Sequence, residues 1–321
     1  MIIGSAKGGV TLPNENNSTV GLGAAPSPPT FPIAGTHGYT FGGTGALNVI
    51  QEQEHGTETT GTNKADLLAN NTRGSNAQTS SIIVCMGGND GGTYYNVIQE
   101  YSIGTTDNST DKANLVSTPN QSWTHCYSST HGYTMGGDDG SDSRTSDIEE
   151  YEFNTTVNAV NKSNLSTALG VNGGGTDGTY SYSYCGYTGS NINNIEEYEL
   201  GTGTTAVNVA DATEAKRAPA TTQNTILLIS NAGINDAENF TNVIEEFTMQ
   251  STTNATDKAD LLAVNYAMSA TQSTTHGYPA GGGGGGAVIN QYEFNTTVNA
   301  VQKGNLISST SNSFAGGSGT P

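Results

Sequence analysis

Val97-Ile98-Gln99-Glu100-Tyr101 is the stretch whose reading decides the fold, because near-copies of it recur along the whole chain. They are Val49-Ile50-Gln51-Glu52, Asp147-Ile148-Glu149-Glu150-Tyr151, Asn194-Ile195-Glu196-Glu197-Tyr198, Val243-Ile244-Glu245-Glu246-Phe247 and Val288-Ile289-Asn290-Gln291-Tyr292. The isoleucines step by roughly 45 to 50 residues, a period that belongs to four-stranded sheet units and not to helical or leucine-rich solenoids.

Working outward from the last copy, four short strands fit one repeat. The first is Tyr266-Ala267-Met268-Ser269-Ala270-Thr271, and the second is His276-Gly277-Tyr278-Pro279-Ala280, ending at Gly281. The third runs from Val288 to Phe294 and the fourth from Val298 to Leu306, after a turn at Asn295-Thr296-Thr297. Connections rich in Gly, Asn, Asp and Thr suit tight antiparallel turns. Gly42-Gly43, Gly87-Gly88, Gly136-Gly137 and Gly281-Gly282 close the second strand, where a missing Cβ permits positive φ or close approach of a neighbouring sheet. Asn231-Ala232-Gly233 and Gly186-Tyr187-Thr188-Gly189 read as degenerate copies.

The chain ends are out of phase with the repeats. The first signature opens at Thr36-His37-Gly38-Tyr39, a second strand, while Ser311 to Gly317 leaves room for one strand after the last repeat. Pairing that C-terminal strand into the first unit would remove an exposed sheet edge. The expectation is an all-β, six-bladed propeller of four-stranded antiparallel blades over residues 36–321, its ring closed by the C-terminal strand. Residues 1–35, with Pro26, Pro28, Pro29 and Pro32, read as an extended N-terminal arm.

Charged residues are only 12% of the chain, yet acids outnumber bases 29 to 10, for a formal charge of -19. Nucleic acid and anionic membrane surfaces are excluded as expected partners, because phosphate binding needs clustered Lys and Arg. Cys85, Cys126 and Cys185 fall in different repeats without a Cys-x-x-Cys pair, so neither a disulfide framework nor a zinc site is expected. The N-terminus lacks the apolar core of a signal peptide and no stretch has the length of a membrane span, which points to synthesis in a cytoplasm. Asn-x-Ser/Thr triplets at Asn70, Asn108, Asn154, Asn254 and Asn295 follow from an Asn- and Thr-rich composition.

Glu149-Glu150, Glu196-Glu197 and Glu245-Glu246 resemble catalytic carboxylate pairs, but neighbours on a strand point to opposite faces and cannot act on one bond. The expectation is that one carboxylate of each pair accepts hydrogen bonds between blades while the other is solvated. His37, His131 and His276 share the context Thr-His-Gly-Tyr in three separate repeats and read as structural. Asp138-Asp139-Gly140-Ser141-Asp142-Ser143 gathers oxygen ligands suited to calcium but lacks the spacing of a known calcium loop. Gly281 to Gly286 matches a nucleotide-binding glycine pattern only trivially. No nucleophile elbow, phosphate loop or zinc helix occurs. No catalytic, cofactor-binding or metal residue is therefore nominated, and no enzyme activity is expected.

The glycine pair followed by Ile-Glu-Glu-Tyr resembles the kelch motif of β-propellers over residues 36–321. The Trp that follows Tyr in kelch units is missing from every copy, which makes the resemblance that of a divergent kelch-like family. His-Gly-Tyr-Thr-Met-Gly-Gly and Asn-Ala-Thr-Asp-Lys-Ala-Asp-Leu are similar in wording to repeat proteins of marine bacteriophages. That resemblance implies a virion structural protein of the tail, baseplate or fibre, made in the host cytoplasm and present in multiple copies. Its arm would contact other virion proteins and its loops a host surface glycan or protein. An intracellular kelch-like interaction module and a carbohydrate-active propeller enzyme are the alternatives.

Overall fold

The computed structural model describes residues 34–43, 47–118, 121–138, 143–284, 286–308 and 316–321. Repeat one supplies β1 (His37–Phe41), β2 (Val49–Glu54) and β3 (Thr62–Asp66). Repeat two supplies β4 (Ser75–Gln78), β5 (Ile82–Met86), β6 (Val97–Ser102) and β7 (Thr110–Asn114). Repeat three supplies β8 (Ser122–Thr124), β9 (Cys126–Tyr127), β10 (His131–Asp138), β11 (Arg144–Glu152) and β12 (Val160–Asn164). Repeat four gives β13 (Asn172–Thr176), β14 (Tyr180–Tyr187), β15 (Asn191–Glu199) and β16 (Val207–Arg217). Repeat five gives β17 (Ala220–Gln223), β18 (Leu227–Asn235), β19 (Phe240–Thr248) and β20 (Thr256–Asn265). Repeat six gives β21 (Ser269–Gln272), β22 (His276–Ala280), β23 (Val288–Glu293) and β24 (Val301–Asn305), and β25 (Gly317–Gly319) follows. Among the described residues there is no helix.

The sheets form a propeller-like ring, and β25 pairs antiparallel with β1 through His37↔Gly319, Gly38↔Ser318 and Tyr39↔Gly317. The expected closing strand is thus present, beginning at Gly317, where its sequence cue ends. The arm expected over residues 1–35 lies, apart from Ala34 and Gly35, outside the described residues.

The expectation of six separate blades is corrected. Hydrogen bonding groups the strands into four four-stranded sheets and one curled nine-stranded sheet that holds repeats four and five. Two local pairings build this sheet, the first joining repeats four and five and the second adding β8 of repeat three. The end of the long β16 is paired on both edges: Lys216 stands opposite Ile192 of β15 and Asn235 of β18, and Arg217 opposite Ile234 of β18. At the other end β8 pairs in parallel with β13 through Ser122↔Asn172, Trp123↔Gly173 and Thr124↔Gly174. That approach needs glycine: a Cβ on Gly174 would lie 2.9 Å from the Thr124 side chain and 2.5 Å from the Tyr182 carbonyl oxygen.

The glycine pairs do what their position requires. Gly42 and Gly43 have φ of 62° and 129°, and a Cβ on Gly42 would stand 2.0 Å from the Asn71 carbonyl oxygen. In repeats four and five, Cys185 (56°) and Ala232 (58°) take the first left-handed position ahead of Gly186 and Gly233. The degenerate pair of repeat four is therefore Cys185-Gly186, one residue earlier than the sequence suggests.

Apolar burial lies between successive sheets more than within them. Tyr39, Phe41, Ile50 and Leu67 of repeat one pack with Ile83, Cys85 and Tyr101 of repeat two. The same arrangement joins Val84, Met86 and Ile98 to Tyr151 and Phe153, and Tyr182 and Ile195 to Phe247 and Met249. The signature Tyr or Phe of repeats two to six thus fills the face of the repeat before it, as in Tyr198 against Tyr133 with ring centroids 6.2 Å apart. All three cysteines are buried and free, and burial pushes the Cys126 thiol up to about 12.

The innermost strands β4, β8, β13, β17, β21 and β25 follow one another around a hub, and β25 returns to β4. Side-chain amides bridge them where backbones do not pair. Gln78 donates from Nε2 to the Ser318 carbonyl at 3.0 Å and accepts the Ser318 N–H on Oε1 at 2.9 Å. Ser318 Oγ accepts the Gln272 N–H at 2.8 Å, and Gln223 Oε1 accepts that of Thr176 at 2.6 Å.

Candidate functional site

The signature carboxylates are committed to the scaffold. The residue after the isoleucine of each copy accepts a backbone N–H from the repeat before it: Gln99 from Leu68 (3.0 Å), Glu149 from Val116 (2.7 Å) and Ser117 (3.0 Å), and Glu196 from Ser166 (2.7 Å). Glu245 accepts from Thr213 (3.1 Å), Asn290 from Leu262 (3.4 Å), and Gln51 from Ile307 (2.7 Å), which completes the cycle. The expected bond between units is therefore present in all six repeats.

The second residue is not simply solvated, and that half of the expectation is corrected. Glu52, Glu150 and Glu197 accept from the hydroxyls of Tyr39, Tyr133 and Tyr182 within their own sheets. Glu52, Glu100, Glu150 and Glu246 also meet Lys64, Lys112, Lys162 and Lys258 at 2.6–3.0 Å. Burial pushes the Glu52 carboxyl up, but hydrogen bonds from Lys64 and Tyr39 more than reverse it and hold it below the usual carboxylate range. Glu245 is different again, because its partner Lys216 is also fully buried at 2.5 Å.

His37, His131 and His276 each bond through Nδ1 to the hydroxyl of the preceding threonine, Thr36, Thr130 or Thr275. The repeated Thr-His context thus makes a local turn contact. Asn108 and Asn254, from the Asn-x-Ser/Thr triplets, accept the Asp66 and Asp211 N–H groups of the preceding repeats. Of the acidic stretch 138–143, only Asp138 and Ser143 fall among the described residues. Among the described residues no group of three or more His, Cys, Asp or Glu is placed to hold a metal ion.

A pocket of about 290 Å³ opens at one mouth of the ring, lined by residues from five of the repeats or the links between them. Its backbone frame is a series of left-handed residues just before the inner strands: Arg73 (64°), Gln121 (58°), Val171 (59°), Ala218 (54°) and Ala267 (51°). Such φ values are unfavourable for side chains with a Cβ, most of all for β-branched Val171. A belt of backbone bonds between repeats links the last four of them. Val171 N–H donates to Gln121 (2.5 Å), Ala218 to Val171 (2.7 Å) and Ala267 to Ala218 (3.0 Å).

Trp123, buried to 3% exposure, lies among Val171, Ala218, Ala267 and Tyr266 at the base of this mouth. Tyr187 and Tyr266 add aromatic walls, and Arg73, Arg144 and Arg217 supply cations. These are the chain's three arginines, gathered in one place. Arg144 and Arg217 both lie over the Tyr187 ring, at 4.6 and 5.1 Å from its centroid. Arg217 forks onto the exposed Glu238 carboxylate at 2.8 and 2.5 Å and reaches Asn191 at 3.1 Å. Among the described residues Arg73 and Arg144 form no ion pair, and Arg144 Nε is buried without a hydrogen-bond partner.

Sequence reasoning passed over this site. The arginines stand 71 and 73 residues apart at non-equivalent positions, so no spacing marks them; only their rarity in an acidic chain could have done so.

No family model matches the chain. No curated protein matches it either.

Proposed function

We propose that this chain is a non-catalytic display and recognition ring, a structural component of a phage particle in the tail, baseplate or fibre, with one mouth offered to a host surface. The single observation that supports it best is the closed cycle of six identical carboxylate- or amide-to-backbone bonds, from Gln99 and Leu68 round to Gln51 and Ile307. A ring fastened at every joint is a stiff platform whose loops hold their geometry without a partner. The wording of the repeats supports the virion setting, as does a polar, acidic surface suited to soluble display in many copies. The N-terminal arm would fix the ring to other virion proteins.

A carbohydrate-active enzyme would need paired carboxylates turned to one bond. The signature glutamates instead hold backbone amides, tyrosines and lysines, which favours binding over hydrolysis. Mass spectrometry of purified particles tests the virion setting. Recovery with particles at a fixed copy number is expected; recovery from infected-cell lysate alone would overturn it in favour of an intracellular interaction module.

A further inference from the structure

Five lysines, Lys64, Lys112, Lys162, Lys216 and Lys258, sit on the last strands of their repeats and pair with glutamates. The arginines have no such pattern, yet the ring brings all three to one pocket lined by a single carboxylate, Asp138. Glu238 neutralises Arg217 from outside that lining, and Asp236 also faces Arg217. Among the described residues neither Arg73 nor Arg144 has a carboxylate within ion-pair distance, although Asp138 stands opposite Arg144 in the β10–β11 pairing.

Two guanidinium groups over one tyrosine ring repel each other, and the desolvation of Arg144 Nε adds to the cost. Such a cluster is stabilised by an anion that accepts from the planar forks, and a carboxylate matches that geometry in bidentate fashion. Apart from Gln121 and Asp138, the rest of the pocket is aromatic and apolar, with Trp123, Tyr187, Tyr266, Val171 and Ile234. A volume of about 290 Å³ suits a single ring and not a polymer segment.

We propose that this mouth binds the carboxylate of an acidic monosaccharide unit, the sugar ring resting on the aromatic wall and the carboxylate held by Arg144 and Arg73. The assignment stands apart from the virion reading, since it concerns what the pocket takes and not where the ring is displayed. With a net charge of -19 on the chain, long-range forces repel the ligand, so selection rests on close contact within the pocket.

Trp123 is the only tryptophan and lies in the pocket, so its fluorescence reports occupancy of the full-length chain directly. Titration with glucuronate should change Trp123 emission saturably, while glucose and inorganic sulfate should each need at least about tenfold higher concentration, one lost charged or apolar contact set in each case. R144Q and R73Q should each weaken glucuronate by about fivefold or more, R144K should fall between R144Q and the wild type, and K303Q, outside the mouth, should bind normally. Equal binding of glucose and glucuronate, absence of saturation, or unchanged affinity in both R144Q and R73Q would overturn the site. Sulfate binding as tightly as glucuronate would overturn the sugar assignment. The wild-type comparison of the three probes stands even if a variant fails to fold.

Discussion

Gln51 and Ile307 are separated by 256 positions, yet the Gln51 side chain accepts the Ile307 backbone N–H at 2.7 Å. The bond is the same one that joins every other pair of neighbouring repeats. Gln51→Ala should therefore cost about 1–2 kcal/mol in urea unfolding, the range for one buried hydrogen bond whose donor is left unpaired. Glu149→Ala should cost more, since Glu149 accepts from the N–H groups of both Val116 and Ser117 and from the Ser117 hydroxyl. Equal effects at the two positions would show that the bonds do not set joint strength.

Lys216 and Glu245 are both fully buried, and Tyr184 and Thr213 also donate to Glu245. Lys216→Met should destabilise by about 3–5 kcal/mol because it strands a carboxylate in the interior. The double variant Lys216→Met with Glu245→Gln should recover part of that loss. Chemical denaturation of the wild type, Lys216→Met, Glu245→Gln and the double variant gives the coupling, and simple additivity would contradict the reading.

His125 is buried to 3% exposure, and burial pushes its imidazole down to about 3. The unfolded chain takes up this proton near pH 6.5 while the folded ring does not, so the unfolded state binds more protons between those values. Stability is unaffected by this group above pH 6.5 and should fall by about 1.4 kcal/mol for each further unit of acidification toward pH 3. His125→Asn should flatten that part of the profile. An unchanged pH dependence would remove His125 as its source.

The joint between repeats six and one is the most polar. Gln53 stands where the other repeats have Tyr or Phe, and His55 stacks on Tyr278 at 4.2 Å in place of a larger apolar contact. Its cluster is confined to Tyr278, Ala280, Ile289 and Leu306, with Ala287 packed against it. Equivalent backbone bonds cross this and other joints: Gly61 to Asn305, Ala159 to Asn114, Ala255 to Asp211 and Ala300 to Asp260. In native-state hydrogen exchange the Gly61 amide should exchange fastest of these, because the least apolar joint opens at the lowest free energy. Slower exchange at Gly61 than at Ala159 would reverse that order.

The repeat unit was legible because turn glycines and alternating strands recur in register. The second strand, His276–Ala280, and the third, Val288–Glu293, lie within a residue of where the sequence puts them. The first is shorter at Ser269–Gln272, because Tyr266 and Ala267 are used for the belt at the mouth. Closure by the C-terminal strand followed from the phase of the ends. The merging of repeats four and five did not, because it depends on how far β16 extends; nor did the addition of β8 to the same sheet, which depends on how closely β13 approaches it. The arginine pocket was hidden for a related reason: curvature of the ring, and not spacing in sequence, brings Arg73, Arg144 and Arg217 together.

The hub has a further effect. Gln78, Gln223, Gln272, Thr176 and Ser318 are all shielded from solvent, so the middle of the wheel is a plug and not a conduit. Whatever enters at the arginine side must leave by that side. Among the described residues the two faces are thus chemically insulated from each other.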